Sequence, residues 1–240
     1  MQFLKTPFAD KVEMPMNRNS LPLLENLTAD SASSVLSASR NIAWRVALAC
    51  LACGWLICAG TGMAVLARYE SAPGPGALTE PVWPRDAAIL RDDTAPTLLM
   101  FVHPHCSCSR ASLDQLDRIV ASCQQRLTTY VVFCVPAGFD ETWAKSNLWR
   151  AANSIPHVNV LIDRCGVETK RFGARTSGQV LLYDAGGRLR FAGGITASRG
   201  HSGDNLGQQQ IISIVLGCDD TANLAECSAF GCPLLDEVEE

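Results

Sequence analysis

Two cysteines separated by one serine stand in the stretch "FVHPHCSCSR", residues 101–110. A cysteine thiolate is a nucleophile towards disulfides and a soft metal ligand, and a histidine can carry protons or bind metal. Cys106 and Cys108 follow His103 and His105 closely. The stretch therefore predicts either thiol–disulfide exchange or the binding of a copper or zinc ion.

The sequence around this stretch predicts that Cys106 begins a helix. "TLLMFVH" is a continuous apolar run, typical of a strand buried in a parallel sheet. "SRASLDQLDRIVASC" then places Leu113, Leu116, Val120 and Cys123 on one helical face. Backbone N–H groups and the helix dipole stabilise a thiolate at a helix N-terminus, so we expect a lowered pKa for Cys106.

The spacing of the two cysteines bears on both kinds of chemistry. Residues i and i+2 of a helical turn have Cα atoms about 5.5 Å apart, but their side chains point in nearly opposite directions. A Cys106–Cys108 disulfide would be strained, which favours an easily exchanged bond over a permanent one. The same compression makes it hard for both histidines and both cysteines to complete one tetrahedral metal site.

A second polar stretch, "GGITASRGHSGDN" (residues 193–205), follows the last predicted strand. Its glycines permit close backbone approach, and Arg199, His201 and Asp204 offer charge, proton transfer and ligation. The alternative is an ordinary flexible polar loop. If the loop covers Cys106, His201 is the third participant that we expect.

The order of the remaining patterns predicts an α/β fold. "LTTYVVFCV" and "VNVLID" are predicted strands, and "DETWAKSNLWRAANSI" is a helix with Asp140 as its N-cap. "QVLLYDAGGRLRFAGG" is a hairpin around Gly186-Gly187, and "LGQQQIISIVLG" is a last helix ended by Gly217. This order predicts a mixed sheet with helices on both faces.

An apolar segment precedes this domain. "VALACLACGWLICAGTGMAVL" has about 21 residues without a charge, which is long enough to cross a bilayer. Arg40 and Arg45 precede it, whereas Arg68 alone follows it at once, so the N-terminus is predicted to be cytoplasmic. The predicted organisation is a disordered cytoplasmic tail (1–45), a transmembrane anchor (46–67), a Pro/Gly-rich linker (68–96), the folded domain (97–217) and a cysteine-containing tail (218–240).

The composition limits which binding partners and which cellular compartment we expect for the chain. The formal net charge of -4 argues against nucleic acid as a partner. For a bacterial chain anchored in the inner membrane by a single span, the C-terminal domain is predicted to lie in the periplasm, where disulfides persist. Eleven cysteines then permit one structural bridge near the C-terminus. The sequence leaves open which of Cys165, Cys218, Cys227 and Cys232 pair.

"LLMFVHPHCSCSR" resembles the thioredoxin superfamily, and the anchored arrangement is similar to that of TlpA-like proteins. The closer resemblance is to the bacterial RedB family, through His-Pro-His-Cys-x-Cys, "TSG" (176–178), "GGIT-x-SRGH-x-GDN" (193–205) and "FGCPL" (230–234). The resemblance implies a thioredoxin-like fold. Ser109 stands where the second cysteine of a C-x-x-C motif would be, and Gly178 stands where the superfamily has its cis-proline.

These observations favour a membrane-anchored thioredoxin-like thiol–disulfide oxidoreductase that acts on thiol- or disulfide-bearing proteins without a cofactor. Cys106 would attack, Cys108 would resolve the mixed disulfide, and His105 and His201 would assist. Cys232, within "FGCPL", is a further candidate for the resolving thiol.

Two alternatives stay open. The first is a periplasmic copper or zinc chaperone with Cys106, Cys108, His103 and His201 as ligands, which the absence of the cis-proline supports. The second is an assembly factor that uses the fold only as a binding surface, in which case substitution of either cysteine of the C-x-C pair leaves function intact.

Overall fold

A computed structural model describes residues 21–218 and 223–235, and describes side chains from residue 39 onward. Residues 1–20 of the predicted tail therefore lie outside the described residues. The chain divides into two compact units, one ending at Met63 and one beginning at Ala64. The predicted domain falls in the second unit.

The first helix, α1 (Leu21–Ser71), contains the predicted anchor. Its part from Ser39 to Ser71 is long and apolar enough to cross a membrane, and none of its most apolar stretch is buried in the protein. The Thr61 hydroxyl, a polar group within this stretch, donates to the backbone oxygen of Ile57 at 2.8 Å. Such a bond satisfies a hydroxyl without water, as a lipid environment requires.

In the part of the chain that the structure describes, six strands form one mixed sheet in the order β3-β2-β1-β4-β5-β6. β1 pairs in parallel with β2, and β2 with β3, whereas β4 is antiparallel to β1 and to β5. This is the thioredoxin-like mixed sheet that the sequence predicts. The strands are β1 (Thr97–Val102), β2 (Thr128–Val135), β3 (Val158–Arg164), β4 (Gln179–Tyr183), β5 (Leu189–Gly194) and β6 (Ala225–Glu226).

Within the described residues, five further helices accompany the sheet. They are α2 (Ser109–Ser122), α3 (Glu141–Ala144), α4 (Asn147–Asn153), α5 (Val167–Arg171) and α6 (Leu206–Val215). The predicted second helix is two short helices, because Lys145 leaves the helical conformation and Ser146 caps a new helix by accepting from the Trp149 N–H. Asp140 caps α3 as predicted.

Alternating side chains of β1 pack on opposite faces of the sheet, so both faces carry a core. Leu98, Met100 and Val102 pack with apolar side chains of α2, α4 and α6. Leu99 and Phe101 pack on the other face, with residues that include Phe172 and Leu234. Helices and loops thus cover both faces, and β1 occupies the centre, which fixes the position of the cysteines that follow it.

The predicted linker packs on the second of these cores. The ring of Trp83 lies 5.0 Å from each of the rings of Phe172 and Tyr183, and Ile89 is buried. The Trp83 N–H donates to the Gly187 oxygen at 2.8 Å. Pro and Gly exclude regular structure here, but this segment is part of the domain surface and covers apolar side chains.

Candidate active site

Cys106 lies in the turn between β1 and α2. Its N–H donates to the His103 oxygen at 3.1 Å, and its own oxygen accepts from the Ser109 N–H at 3.1 Å. The helix begins at Ser109, with Cys108 at the N-cap position. The nucleophile candidate therefore sits at the end of the central strand, just before the helix, close to the predicted position.

The side chain of Cys106 is buried, with 2% relative exposure. Its Sγ lies 3.3 Å from the Sγ of Cys232, a residue 126 positions later in the chain. Cys232 comes from the "FGCPL" motif near the C-terminus. The structure therefore brings the first cysteine of the C-x-C pair into direct contact with a third thiol.

The thiolate form of Cys106 is favoured. Burial raises its pKa, but hydrogen bonds from the Ser109 side chain and from the backbone and side chain of Cys232 outweigh burial and lower it to about 7. Hydrogen bonds to a charged acceptor are among the stronger ones in proteins, so a few well-placed donors can replace water around the sulfur. The direction agrees with the lowered pKa expected from the sequence.

The two other thiols of the site hold their protons. Burial raises the pKa of Cys232 to about 12, with the hydrogen bond to Cys106 and the charge of Cys106 as further causes. Burial followed by the charge of Cys106 also raises the pKa of Cys108. The positive charge of Arg199 acts against these causes at both residues. Near neutral pH Cys106 is therefore the thiol of the cluster that ionises, and Cys108 and Cys232 keep their protons.

A chain of hydroxyl groups orients the Ser109 donor. The His103 N–H donates to the Ser177 Oγ at 2.7 Å, and the Oγ atoms of Ser177 and Ser109 lie 2.7 Å apart. With Ser177 accepting from His103, its proton can go to Ser109, and the Ser109 proton can go to the Cys106 sulfur. Sequence reasoning did not identify Ser109 and Ser177 as functional residues, although "TSG" marked the second of them.

Gly178 follows Ser177 at the position of the superfamily's cis-proline. Its N–H donates to the Phe101 oxygen at 2.7 Å, and its φ is +88°. A Cβ at this position would lie 2.7 Å from the Ser112 Oγ. The described residues contain no cis peptide bond. Glycine here satisfies both a left-handed backbone and close packing against α2.

The segment of residues 229–235, which we call the C-terminal arm, runs beside this loop. The Ser177 N–H donates to the Cys232 oxygen at 2.8 Å, and the Leu234 N–H donates to the Arg175 oxygen at 2.9 Å. Thr176 and Pro233 form an antiparallel bridge. The arm is therefore held along residues 175–177 by backbone hydrogen bonds, which place Cys232 against Cys106.

Arg199 joins the arm to the end of α1. Its guanidinium donates to the Gly231 oxygen and, at 3.1 Å, to the Tyr69 oxygen. It also lies 5.0 Å from the centre of the Tyr69 ring. The predicted loop of residues 193–205 thus contributes Arg199 to the site. The positive charge of Arg199 acts to lower the pKa of Cys108 and of Cys232.

The two histidines before Cys106 contact Trp143 of α3. The His105 Nε2 lies 3.1 Å from the Trp143 oxygen, and its ring packs 4.6 Å from the Trp143 ring. The His103 Nδ1 accepts from the His105 N–H at 3.2 Å. In the described residues, the hydrogen bonds of His105 are thus to its neighbours in the chain and to α3, so its proposed action on the thiols stays a prediction.

His201 lies on the surface. Its Nδ1 is 2.8 Å from the Arg199 oxygen, and within the described part of the chain no hydrogen bond joins it to Cys106 or Cys108. Its predicted role as third participant therefore stays a prediction. The loop brings Arg199, two residues away, to the site.

The predicted metal ligands do not form one recognisable centre. Within residues 39–218 and 223–235, no group of three or more His, Cys, Asp or Glu side chains is arranged to hold a metal ion. The copper or zinc alternative, with Cys106, Cys108, His103 and His201, stays a prediction.

The five remaining cysteines of the domain differ in burial. Cys123 and Cys134 are buried, and burial raises the pKa of each to about 11, which suits small apolar side chains. Cys227 donates to the Gln210 Oε1 at 3.2 Å, and Cys165 and Cys218 are exposed. None of the eleven cysteines forms a disulfide in this structure, so the predicted pairing near the C-terminus stays a prediction.

No family model matches the chain, and no curated protein matches it. Among solved structures it is similar to a hypothetical protein from Sinorhizobium meliloti, at 17% sequence identity and a TM-score of 0.46, over 68% of this chain and 93% of that one. It is also similar to the exposed lipoprotein thioredoxin of Streptococcus pneumoniae, at 18% identity and a TM-score of 0.37, over 52% and 86%.

A third similar structure is a secreted disulfide oxidoreductase of Mycobacterium tuberculosis, at 16% identity and a TM-score of 0.37, over 52% of this chain and 82% of that one. The strand order, with a cysteine between the central strand and its following helix, defines the class: a thioredoxin-like domain that follows an apolar helix.

Proposed function

We propose that this chain is a membrane-anchored thiol–disulfide oxidoreductase of a bacterial inner membrane, with its thioredoxin-like domain in the periplasm. The observation that carries the proposal is Cys106, a cysteine with a pKa of about 7 that lies at the end of the central strand, in contact with another thiol. A lone structural cysteine in such a buried position would hold its proton, as Cys123 does. Donors gathered around Cys106 support a nucleophile.

In the proposed reaction the Cys106 thiolate attacks one sulfur of a protein disulfide. The S–S bond breaks, the leaving thiolate takes a proton from solvent, and Cys106 becomes part of a mixed disulfide. A second thiol of this chain then displaces the substrate and forms an intramolecular disulfide. The substrate gains two electrons and the chain loses two, and an external dithiol returns the chain to its starting state.

A redox titration of the full-length chain in detergent micelles tests this function. In glutathione buffers of varied poise we expect a reversible loss of two protons in the intact mass, and we expect it to vanish in Cys106→Ser. The matched control is Cys165→Ser, an exposed thiol of the same domain, which should titrate as the parent chain does. An unchanged titration in Cys106→Ser contradicts the proposal.

Metal analysis of the same preparation tests the alternative. The chaperone function predicts copper or zinc that copurifies with the chain and is lost in Cys106→Ser and in His201→Ala. Metal retention without any redox transition would replace the proposed function with metal handling. The assembly-factor alternative predicts that neither the cysteine substitutions nor metal removal alters activity.

A further inference from the structure

The C-terminal arm covers the proposed nucleophile. Cys106 has 2% relative exposure, and the arm residue Cys232 lies against its sulfur at 3.3 Å. Two backbone hydrogen bonds, Ser177 N–H to Cys232 O and Leu234 N–H to Arg175 O, fix the arm along the loop beside Cys106. A substrate disulfide can reach the Cys106 sulfur only after this arm has moved away.

The C-terminal arm packs closely against the loop beside Cys106. Gly231 lies so close to the Ser177 oxygen that a Cβ at residue 231 would overlap it. Arg199 donates to the Gly231 oxygen. Gly194 is packed in the same way against the Ser228 oxygen, just before the arm. The glycines of "GGIT" and "FGCPL", two motifs evident in the sequence, therefore allow the close approach that brings Cys232 to Cys106.

The position of Cys108 is less suitable for bond formation with Cys106. Cys108 lies two residues later in the same turn and occupies the N-cap position of α2. The Cys108 side chain is within hydrogen-bond reach of Cys106, but a disulfide between residues i and i+2 of one turn is strained, because their side chains diverge. Cys232 reaches Cys106 from a separate segment of the chain, with 3.3 Å between the two sulfurs and no such short ring to close.

We propose that Cys232, delivered by the C-terminal arm, is the thiol that resolves the mixed disulfide on Cys106, and that the arm shields Cys106 between reactions. This inference rests on the proposed function of thiol–disulfide exchange. It replaces Cys108 with Cys232 as the second redox-active cysteine. Cys108 remains a neighbour of the reacting pair.

The proposed cycle conserves atoms and electrons at each step. The arm moves away, the Cys106 thiolate attacks a substrate disulfide, and one substrate sulfur leaves and is protonated. The arm returns, the Cys232 thiol gives its proton to solvent, and its thiolate attacks the Cys106 sulfur. The Cys106–Cys232 bond forms, the mixed disulfide breaks, and the second substrate sulfur leaves as a thiolate. An external dithiol then reduces the Cys106–Cys232 disulfide.

The charges around Cys232 favour its ionisation after the mixed disulfide has formed. Burial is the largest cause that raises the pKa of Cys232, and the hydrogen bond to Cys106 and the negative charge of the Cys106 thiolate raise it further. Both disappear once Cys106 is bonded to a substrate sulfur, whereas the favourable charge of Arg199 remains. Cys232 therefore becomes more acidic at the stage at which it must attack.

Peptide mapping of the oxidised full-length chain in detergent micelles tests the inference. The probe is oxidised glutathione, followed by alkylation and proteolysis with cleavage after Phe101 and Phe230, which separates Cys232 from Cys227. We expect a Cys106–Cys232 cross-linked peptide in the parent chain and in Cys108→Ser. In Cys232→Ser we expect Cys106 to accumulate as a mixed disulfide with glutathione, and circular dichroism checks that each variant is folded.

The outcomes separate the two proposals. A Cys106–Cys108 link that persists in Cys232→Ser overturns the inference and leaves the proposed function standing. Loss of the intramolecular disulfide in both variants also overturns it, because Cys108 has no required part in it. If Cys106 neither bonds to glutathione nor forms an intramolecular disulfide in any folded variant, the proposed function itself fails.

Discussion

Cys106 illustrates how a buried cysteine can stay ionised near neutral pH. Burial alone would raise its pKa, as it does for Cys123 and Cys134. The difference lies in the donors, since Ser109 and Cys232 supply hydrogen bonds to the Cys106 sulfur. The hydroxyl of Ser177, next to Ser109, orients the strongest of them. Thiolate stability at this site therefore depends on a few named groups.

The first prediction concerns Ser109→Ala. The change removes the largest cause that lowers the pKa of Cys106, so the pKa should rise from about 7 by about one unit, since a hydrogen bond to a charged group contributes about 1.5 kcal/mol or more. Because the pKa rises, the thiolate fraction at neutral pH falls. The measurement is the pH dependence of the Cys106 Cβ chemical shift in the reduced full-length chain.

Ser122→Ala is the matched control, because Ser122 is an exposed serine of the same helix that bonds to the Arg118 oxygen. Its effect on the Cys106 titration should be negligible. Equal midpoints in the parent chain and Ser109→Ala would show that the Ser109 hydroxyl does not stabilise the thiolate.

Sequence reasoning identified part of this site. The position of Cys106 before a helix follows from a local pattern, an apolar run and then an amphipathic one. The direction of its pKa shift was expected from that position, but the donors that lower the pKa include Cys232, which is distant in the sequence. The contact between Cys106 and Cys232 joins residues 126 positions apart, and no local pattern specifies it. The motif "FGCPL" marked Cys232 as a candidate, but its distance to Cys106 depends on how the whole sheet places residues 175–178.

At the scale of elements, the position of the C-terminal arm depends on the absence of a side chain at Gly231. The second prediction is that Gly231→Ala displaces the arm, because the new Cβ would overlap the Ser177 oxygen. Cys106 should then react faster with a small alkylating reagent, by about tenfold if the displacement costs roughly 1.4 kcal/mol. Mass spectrometry of the reduced full-length chain, alkylated for timed intervals, measures the rate.

Gly76→Ala provides the comparison, since a Cβ at residue 76 meets no heavy atom within 4 Å. It should react as the parent chain does. An unchanged Cys106 rate in Gly231→Ala would mean that the arm does not limit access to the nucleophile.

The elements themselves were predictable to different degrees. Continuous apolar runs and the Gly186-Gly187 turn predicted the strands and the hairpin, because both signals are contained in a short stretch of sequence. The packing of the linker was not predicted. Its Pro and Gly residues exclude helix and strand locally, and only the folded sheet supplies the surface of Phe172 and Tyr183 that Trp83 covers.

The third prediction follows from that packing. Trp83→Ala should destabilise the domain by about 2 kcal/mol, less than a fully buried aromatic would, because Trp83 is only partly buried. The midpoint of thermal unfolding should fall by several degrees, as followed by circular dichroism of the full-length chain in detergent. Leu90→Ala, at an exposed position of the same segment, should leave the midpoint nearly unchanged. Equal midpoints for Trp83→Ala and Leu90→Ala would show that the segment does not stabilise the domain.

At the scale of the whole molecule, the proposed chemistry depends on the compartment. A disulfide between two cysteines of the domain persists where thiol reductants are scarce, as in the periplasm, and is short-lived in the cytoplasm. The orientation of the apolar helix decides between the two. Arg40 and Arg45 lie on its N-terminal side, whereas Arg68 lies alone just beyond the apolar run. This asymmetry predicts a cytoplasmic N-terminus and a domain on the other side of the membrane.

The fourth prediction tests this orientation. In bacterial spheroplasts that produce the full-length chain, added protease should digest the domain, and the double change Arg40→Ala and Arg45→Ala should leave a larger fraction protected, because it removes the charges that hold the N-terminus inside. The matched double change, Arg118→Ala and Arg126→Ala, removes two exposed charges of the domain that do not flank the apolar segment in the sequence, and it should alter nothing. Protection of the domain in intact spheroplasts of the parent chain, with digestion only after lysis, would place the cysteine cluster in a reducing compartment and contradict the proposed periplasmic function.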